Sequence, residues 1–123
     1  MTHSAAAETA LKSGWIGVDL DATLAFYDHW RGMDHVGAPI PAMLARVRKW
    51  LDEGVEVRIV TARVAPPYNI PAAIRPVEMW CIEHLGQLLP VTCSKDLGMI
   101  ELWDDRAVQV VSNTGARADG AVD

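Results

Sequence analysis

Three short runs of β-branched and aliphatic residues punctuate the chain, separated by two stretches whose apolar positions recur at helical spacing. The first run, Trp15-Ile16-Gly17-Val18-Asp19-Leu20-Asp21-Ala22-Thr23-Leu24, ends in two carboxylates one residue apart. The second, Val55-Glu56-Val57-Arg58-Ile59-Val60-Thr61-Ala62-Arg63, is rich in valine and stops at a threonine. The third, Met99-Ile100-Glu101-Leu102-Trp103-Asp104-Asp105, closes on an acidic pair. Each run has the length and residue types of a buried strand. Between the first two, Pro41 to Glu53 sets Met43, Leu44, Val47, Trp50 and Leu51 on one helical face, with Pro41 in the first turn and Gly54 just past the end. A second helix is predicted from near Pro76 to Gly86, with Val77, Cys81 and Leu85 in a stripe and Trp80 on its flank. This alternation predicts an α/β fold, a Rossmann-like three-layer α/β/α sandwich around a mainly parallel sheet.

One segment strains that scheme. If Leu88 to Cys93 and Met99 to Trp103 were adjacent parallel strands, the link between them would be far shorter than the dozen or so residues a parallel crossover needs. One of the two is therefore expected to be short, bent or outside the sheet.

Composition narrows the class. A chain of 123 residues, half of them apolar, supports a single domain with one core, here expected to span about residues 14 to 111. Thr2 to Ser13 and Asn113 to Asp123 are small and polar, the first rich in Ala and the second in Gly and Ala, which predicts loosely ordered ends. The net charge of -5 argues against a general nucleic-acid binder, and the Arg46, Arg48, Lys49 cluster reads as a solvated helix face. Cys81 and Cys93 are too few for a four-cysteine zinc site, so buried, reduced thiols are expected. No stretch approaches the roughly 20 apolar residues of a membrane helix, and the first residues lack the pattern of a signal peptide; the expectation is a cytoplasmic protein. G-x-G-x-x-G is absent, so dinucleotide binding is not supported.

The strand ends carry the candidate chemistry. Open α/β folds bind ligands at the carboxyl edge of the sheet, where Asp19 and Asp21 would stand. Two carboxylates this close repel each other unless a cation or a shared proton relieves them, which points to a metal site or acid/base chemistry. Taken singly, each strand end also reads as a turn or a helix cap.

Taken together, Asp-x-Asp, then Thr, then Asp-Asp at successive strand ends resembles the haloacid dehalogenase-like (HAD) superfamily of phosphotransferases. The resemblance covers about residues 14 to 111. It implies that Asp19 attacks the substrate to form an aspartyl-phosphate and that Asp21 acts as general acid and then base. It also implies Mg²⁺ held by Asp19, the Asp21 backbone carbonyl, Asp104 and Asp105. Thr61 would hydrogen-bond a phosphoryl oxygen through its hydroxyl and its backbone N–H, and Lys95 would be the charge-balancing cation. This sequence has Ala22 where the family usually has Gly, which disfavours a positive φ and is compatible with a helical or extended turn. Arg63, two residues past Thr61, is a substitute cation for Lys95, or else a surface arginine paired with a carboxylate.

The short Ala25 to Ile40 insert allows a flap but no cap domain, so the resemblance is to capless members, which act on large or exposed phosphate groups or borrow a partner subunit as a lid. The expected partner is a phosphorylated small molecule or an exposed phosphate on a larger substrate, a nucleotide or a nucleic-acid end among them; a homo-oligomer is compatible with this. Tyr27, His29, Trp30, Arg31 and His35 lie in the flap and read a substrate or pack on the core, the second being the expectation for Trp30. His29 and His35 are not expected as ligands for a hard cation. A catalytically silent relative that keeps the metal site for binding or regulation is the alternative. A receiver-like phospho-acceptor is a third reading, against which the order of the motifs argues.

Overall fold

The computed structural model describes residues 14–123. Its strands are β1 (Trp15–Asp19), β2 (Glu56–Val60), β3 (Val91–Thr92) and β4 (Met99–Trp103), and its helices are α1 (Pro41–Asp52) and α2 (Pro71–Leu85). The sheet is parallel throughout, in the order β3-β2-β1-β4. The architecture is therefore α/β and Rossmann-like, with β1 and β2 paired at the centre of the sheet.

Residues that alternate along the strands divide the two faces of the sheet. Ile16, Val18, Val57 and Ile59 join Met43, Val47 and Trp50 of α1 and Val77, Trp80 and Cys81 of α2 in one buried cluster. Trp103 packs on the same side, its ring 5.3 Å from that of Trp50. Both helices thus cover one face. The chain steps from β1 to β2 to β3 in one direction, and right-handed crossovers in one direction lay their helices on the same side. The third layer expected from the sequence is not found among the described residues. On the opposite face Trp15 is nonetheless buried, because the Arg58 guanidinium lies 4.3 Å from its ring centroid and its indole donates to Asp96 at 2.8 Å.

The β3–β4 problem is resolved by separation. β3 has only two residues and sits at one edge, whereas β4 pairs with β1 at the other, so the two are never neighbours. Residues 93–98 must carry the chain back down the sheet for β4 to run parallel. At about 3.3 Å per residue, six residues manage this only when nearly extended.

Helix α1 follows its predicted bounds, with Pro41 at its start and Gly54 at φ +82° just beyond it. Helix α2 begins a turn earlier than predicted, at Pro71, with Pro76 inside it. Proline suits a first helical position, so Pro71 was the better start signal, and Ala73, Val77, Trp80 and Cys81 form one buried stripe from there. One further expectation is corrected. Cys93 is exposed, while Cys81 is buried and its thiol is pushed up to about 11 by that burial. Within Asn113 to Asp123, Ala118 N–H donates to the Gln109 carbonyl and Arg117 pairs with Asp119 at 3.0 Å. Thr2 to Ser13 lies outside the described residues. Among the described residues no helix is long and apolar enough to cross a membrane.

Candidate active site

Strand register alone assembles the site. Asp19 is the last residue of β1 and pairs with Val60, so Thr61 follows one position beyond it on β2. Val18 pairs with Trp103, so Asp104 leaves β4 beside Asp19. Three separated strand ends therefore meet at one carboxyl edge, where a cleft of about 840 Å³ opens. Carboxylate oxygens of Asp19, Asp104 and Asp105 lie within 4.8 Å of one another.

The Asp21 carboxylate is not part of that group. Arg63 holds it with a fork, Nε donating to one oxygen at 2.8 Å and Nη2 to the other at 2.9 Å. The remaining nitrogen, Nη1, donates to the Met33 carbonyl, and the guanidinium lies 5.0 Å from the centroid of the Trp30 ring. With 6% of its side chain exposed, Arg63 is committed to Asp21 and the flap. Of the two readings of Arg63, substitute cation or arginine paired with a carboxylate, the structure shows the pairing, made inside the cleft and not on the open surface.

Lys95 is not brought to the cleft. By Asp96 the chain has already turned down the sheet, since that residue holds the indole of Trp15, the first residue of β1. Besides Arg63, Arg106 lines the cleft, and its guanidinium has no hydrogen-bond or ion-pair partner among the described residues. Its backbone N–H donates to Asp104 at 2.7 Å, which fixes the turn after the acidic pair. The sequence signal for Arg106 was its place directly after Asp104-Asp105.

Thr61 is the buried polar residue of the core, 3% exposed. Its hydroxyl accepts from the Arg63 N–H at 3.1 Å, which leaves its own proton to donate into the cleft. Its backbone N–H donates to the Thr92 carbonyl and so is not available to a phosphoryl oxygen, contrary to the expectation. Thr23, two residues past Asp21, also belongs to the site. Its hydroxyl lies 3.2 Å from an oxygen of Asp19 and 3.2 Å from one of Asp105, and it accepts the Asp105 N–H at 3.0 Å. One hydroxyl thus ties the β1 loop to the β4 loop.

Comparison of the chain with protein-family models, with curated proteins and with solved structures found no match.

Electrostatics mark the carboxylate group as short of positive charge. Burial, a hydrogen bond shared with Asp105 and the charge of Asp104 push Asp19 up from the usual 3.8 to about 7, against the Thr23 hydroxyl, which lowers it. The folded chain keeps this proton where the unfolded chain has lost it, so the associated stability is full below about pH 4 and is lost as pH rises through 7. The donor set is hard oxygen only, which suits Mg²⁺ and not a thiophilic or imidazole-seeking metal. A divalent cation would replace the proton as the neutralising charge. Thermal melts with and without Mg²⁺ should then show a gain from the ion at pH 8 and almost none at pH 5; equal melting temperatures at pH 8 would rule out a cation site here.

Ala22 lies in the turn between the two halves of the site, with φ +69°. The left-handed conformation that glycine favours is thus kept with alanine in place, correcting the expected helical or extended turn. An L-residue in that region is strained by about 1–2 kcal/mol, and glycine gives back part of this through unfolded-chain entropy. Ala22→Gly should therefore stabilise the protein by roughly 0.5–1 kcal/mol in urea unfolding. A loss of stability would show that the Cβ makes contacts worth more than the strain.

Proposed function

We propose that this protein is a Mg²⁺-dependent phosphohydrolase of the capless HAD-like type, acting in the cytoplasm on a phosphate monoester through an aspartyl-phosphate. The observation that carries this reading is the carboxylate group of Asp19, Asp104 and Asp105 in a cleft shared with Thr61 and Arg106. Asp19, Asp104, Asp105 and the Asp21 carbonyl would hold Mg²⁺, which would offset the repulsion between an attacking carboxylate and a phosphate dianion.

In this reading an Asp19 oxygen forms a bond to phosphorus while the ester P–O bond breaks, and Asp21 gives its proton to the departing oxygen. Asp21 then takes a proton from the water that attacks phosphorus, releasing phosphate and restoring Asp19. Thr61 Oγ–H donates to a phosphoryl oxygen, and the Arg106 guanidinium compensates phosphoryl charge in place of Lys95. Arg63 holds both Asp21 oxygens, yet each keeps a second lone pair on which a proton can ride.

That same fork favours a second reading, a metal-binding or regulatory protein without turnover, because a group that must exchange protons is already engaged at both oxygens. Phosphate release from an aryl phosphate and a panel of nucleotides, with Mg²⁺ and with chelator, separates the two. Metal-dependent turnover supports the phosphohydrolase. A Mg²⁺-induced rise in melting temperature with no turnover on any compound supports the silent relative.

A further inference from the structure

The flap places an exposed aromatic surface beside the acid/base carboxylate and then fixes it there. Trp30 is 53% exposed, against the expectation that it packs on the core. Its ring is nonetheless positioned, since one face lies against the Arg63 guanidinium, which is itself held by Asp21 and the Met33 carbonyl. The flap has further anchors. Phe26 N–H donates to the Ala38 carbonyl, Ile40 N–H donates to the Leu24 carbonyl, and the Trp80 indole of α2 donates to the Gly37 carbonyl at 2.8 Å. Tyr27 and Tyr68, the chain's two tyrosines, line the same cleft and are also exposed. Large aromatic surfaces left in water and held rigid are an unfavourable arrangement unless something covers them.

We propose that Trp30 is a stacking platform for the planar base of a nucleoside monophosphate, so that this is the substrate class the cleft selects. The inference rests on the phosphohydrolase reading in one respect, that Asp21 marks the side from which the leaving group departs. Asp21 and Trp30 are both held by Arg63, so the platform stands on that side. The Trp30 ring lies over the Arg63 guanidinium whereas Asp21 accepts from that guanidinium's N–H groups, an arrangement that a spacer between the ester oxygen and a planar ring fits. A sugar supplies that spacer; an aryl phosphate, with its ring on the ester oxygen, does not. The cleft volume falls within the roughly 300–1,000 Å³ that buries a ligand of this size. A long nucleic acid is disfavoured by the net charge of -5 and by Arg106 being the one unpartnered guanidinium at the cleft among the described residues.

The test compares kcat/KM for adenosine 5′-monophosphate, ribose 5-phosphate, phenyl phosphate and a 5′-phosphorylated oligonucleotide in wild type, Trp30→Ala and Trp30→Phe. Wild type should prefer the nucleotide to ribose 5-phosphate by roughly tenfold or more, the scale of one base–aromatic stack. Trp30→Ala should lose most of that ratio through KM, and Trp30→Phe should keep much of it. A nucleotide-to-ribose ratio near one in wild type, a ratio unmoved in Trp30→Ala, or a preference for phenyl phosphate or the oligonucleotide would overturn the proposal while leaving the phosphohydrolase intact. If nothing is turned over, calorimetric binding of the same nucleotide and ribose 5-phosphate with Mg²⁺ decides. Tighter nucleotide binding that Trp30→Ala removes upholds the platform in a protein that is not a phosphatase, and equal binding overturns it.

Discussion

Asp19→Asn is expected to abolish Mg²⁺-dependent phosphate release, by on the order of 10⁴-fold or more, while making the metal-free protein more stable at pH 8. The activity loss follows from removing the only group placed to form the covalent intermediate in the proposed mechanism. The stability gain follows from the site itself. Asp19 resists ionisation because it is partly buried beside Asp104 and Asp105, so at pH 8 the metal-free fold carries a charge it disfavours. An amide of the same shape removes that charge and can donate to Asp105. With solvent reaching part of the carboxylate, the gain should be about 1–2 kcal/mol at pH 8, shrinking towards zero near pH 4. Phosphate-release assays and urea melts at both pH values check the two halves separately. A variant that stays active would end the aspartyl-phosphate reading, and one that is destabilised at pH 8 would mean that Asp19 holds the loops together by more than its charge.

Arg63→Met should be the most destabilising single change at the site, by about 2–4 kcal/mol. The substitution keeps much of the aliphatic bulk but leaves the Asp21 carboxylate, 22% exposed, without its bidentate partner. It also frees the Met33 carbonyl and removes the cation from the Trp30 ring, so the flap should open to protease at the same time. For a domain of this size the loss corresponds to a fall in melting temperature on the order of 10 °C. Adding Asp21→Asn to Arg63→Met should recover part of the loss, because the neutral amide no longer leaves a charge stranded. If Arg63→Met costs under about 1 kcal/mol, the pair behaves as an exposed ion pair and does not hold the flap.

Much of this protein was legible along the chain because strands and helices are written in local periodicity. The valine-rich run of Val55 to Val60, the aliphatic run of Trp15 to Val18 and the Met43, Val47, Trp50 stripe each specify an element and its buried side without reference to any other. The carboxyl-edge position of Asp19, Thr61 and Asp104 followed from their place at strand ends, since parallel strands bring like ends together. The start of α2 was misplaced because two prolines compete for the first turn, and only the packing of Ala73 shows that Pro71 occupies it.

What tertiary structure alone decided is which charge meets which. Lys95 and Arg63 are both cations near the right strand ends, and nothing local says that the descent of residues 93–98 carries one away from the edge while the other turns to Asp21, 42 residues distant. The same holds for Thr23, which joins Asp19 to Asp105 across 82 residues, and for Trp30, whose exposure depends on a guanidinium from another loop. Backbone pattern determines where the chain goes because it depends on neighbours three or four residues away. Side-chain pairing at the mouth of the sheet depends on loops that touch only after the strands have aligned. The sequence by itself therefore determined an α/β chain with acidic strand ends; the folded loops decided that Asp21 is paired with Arg63, that Arg106 lines the cleft and that the Trp30 ring lines it too.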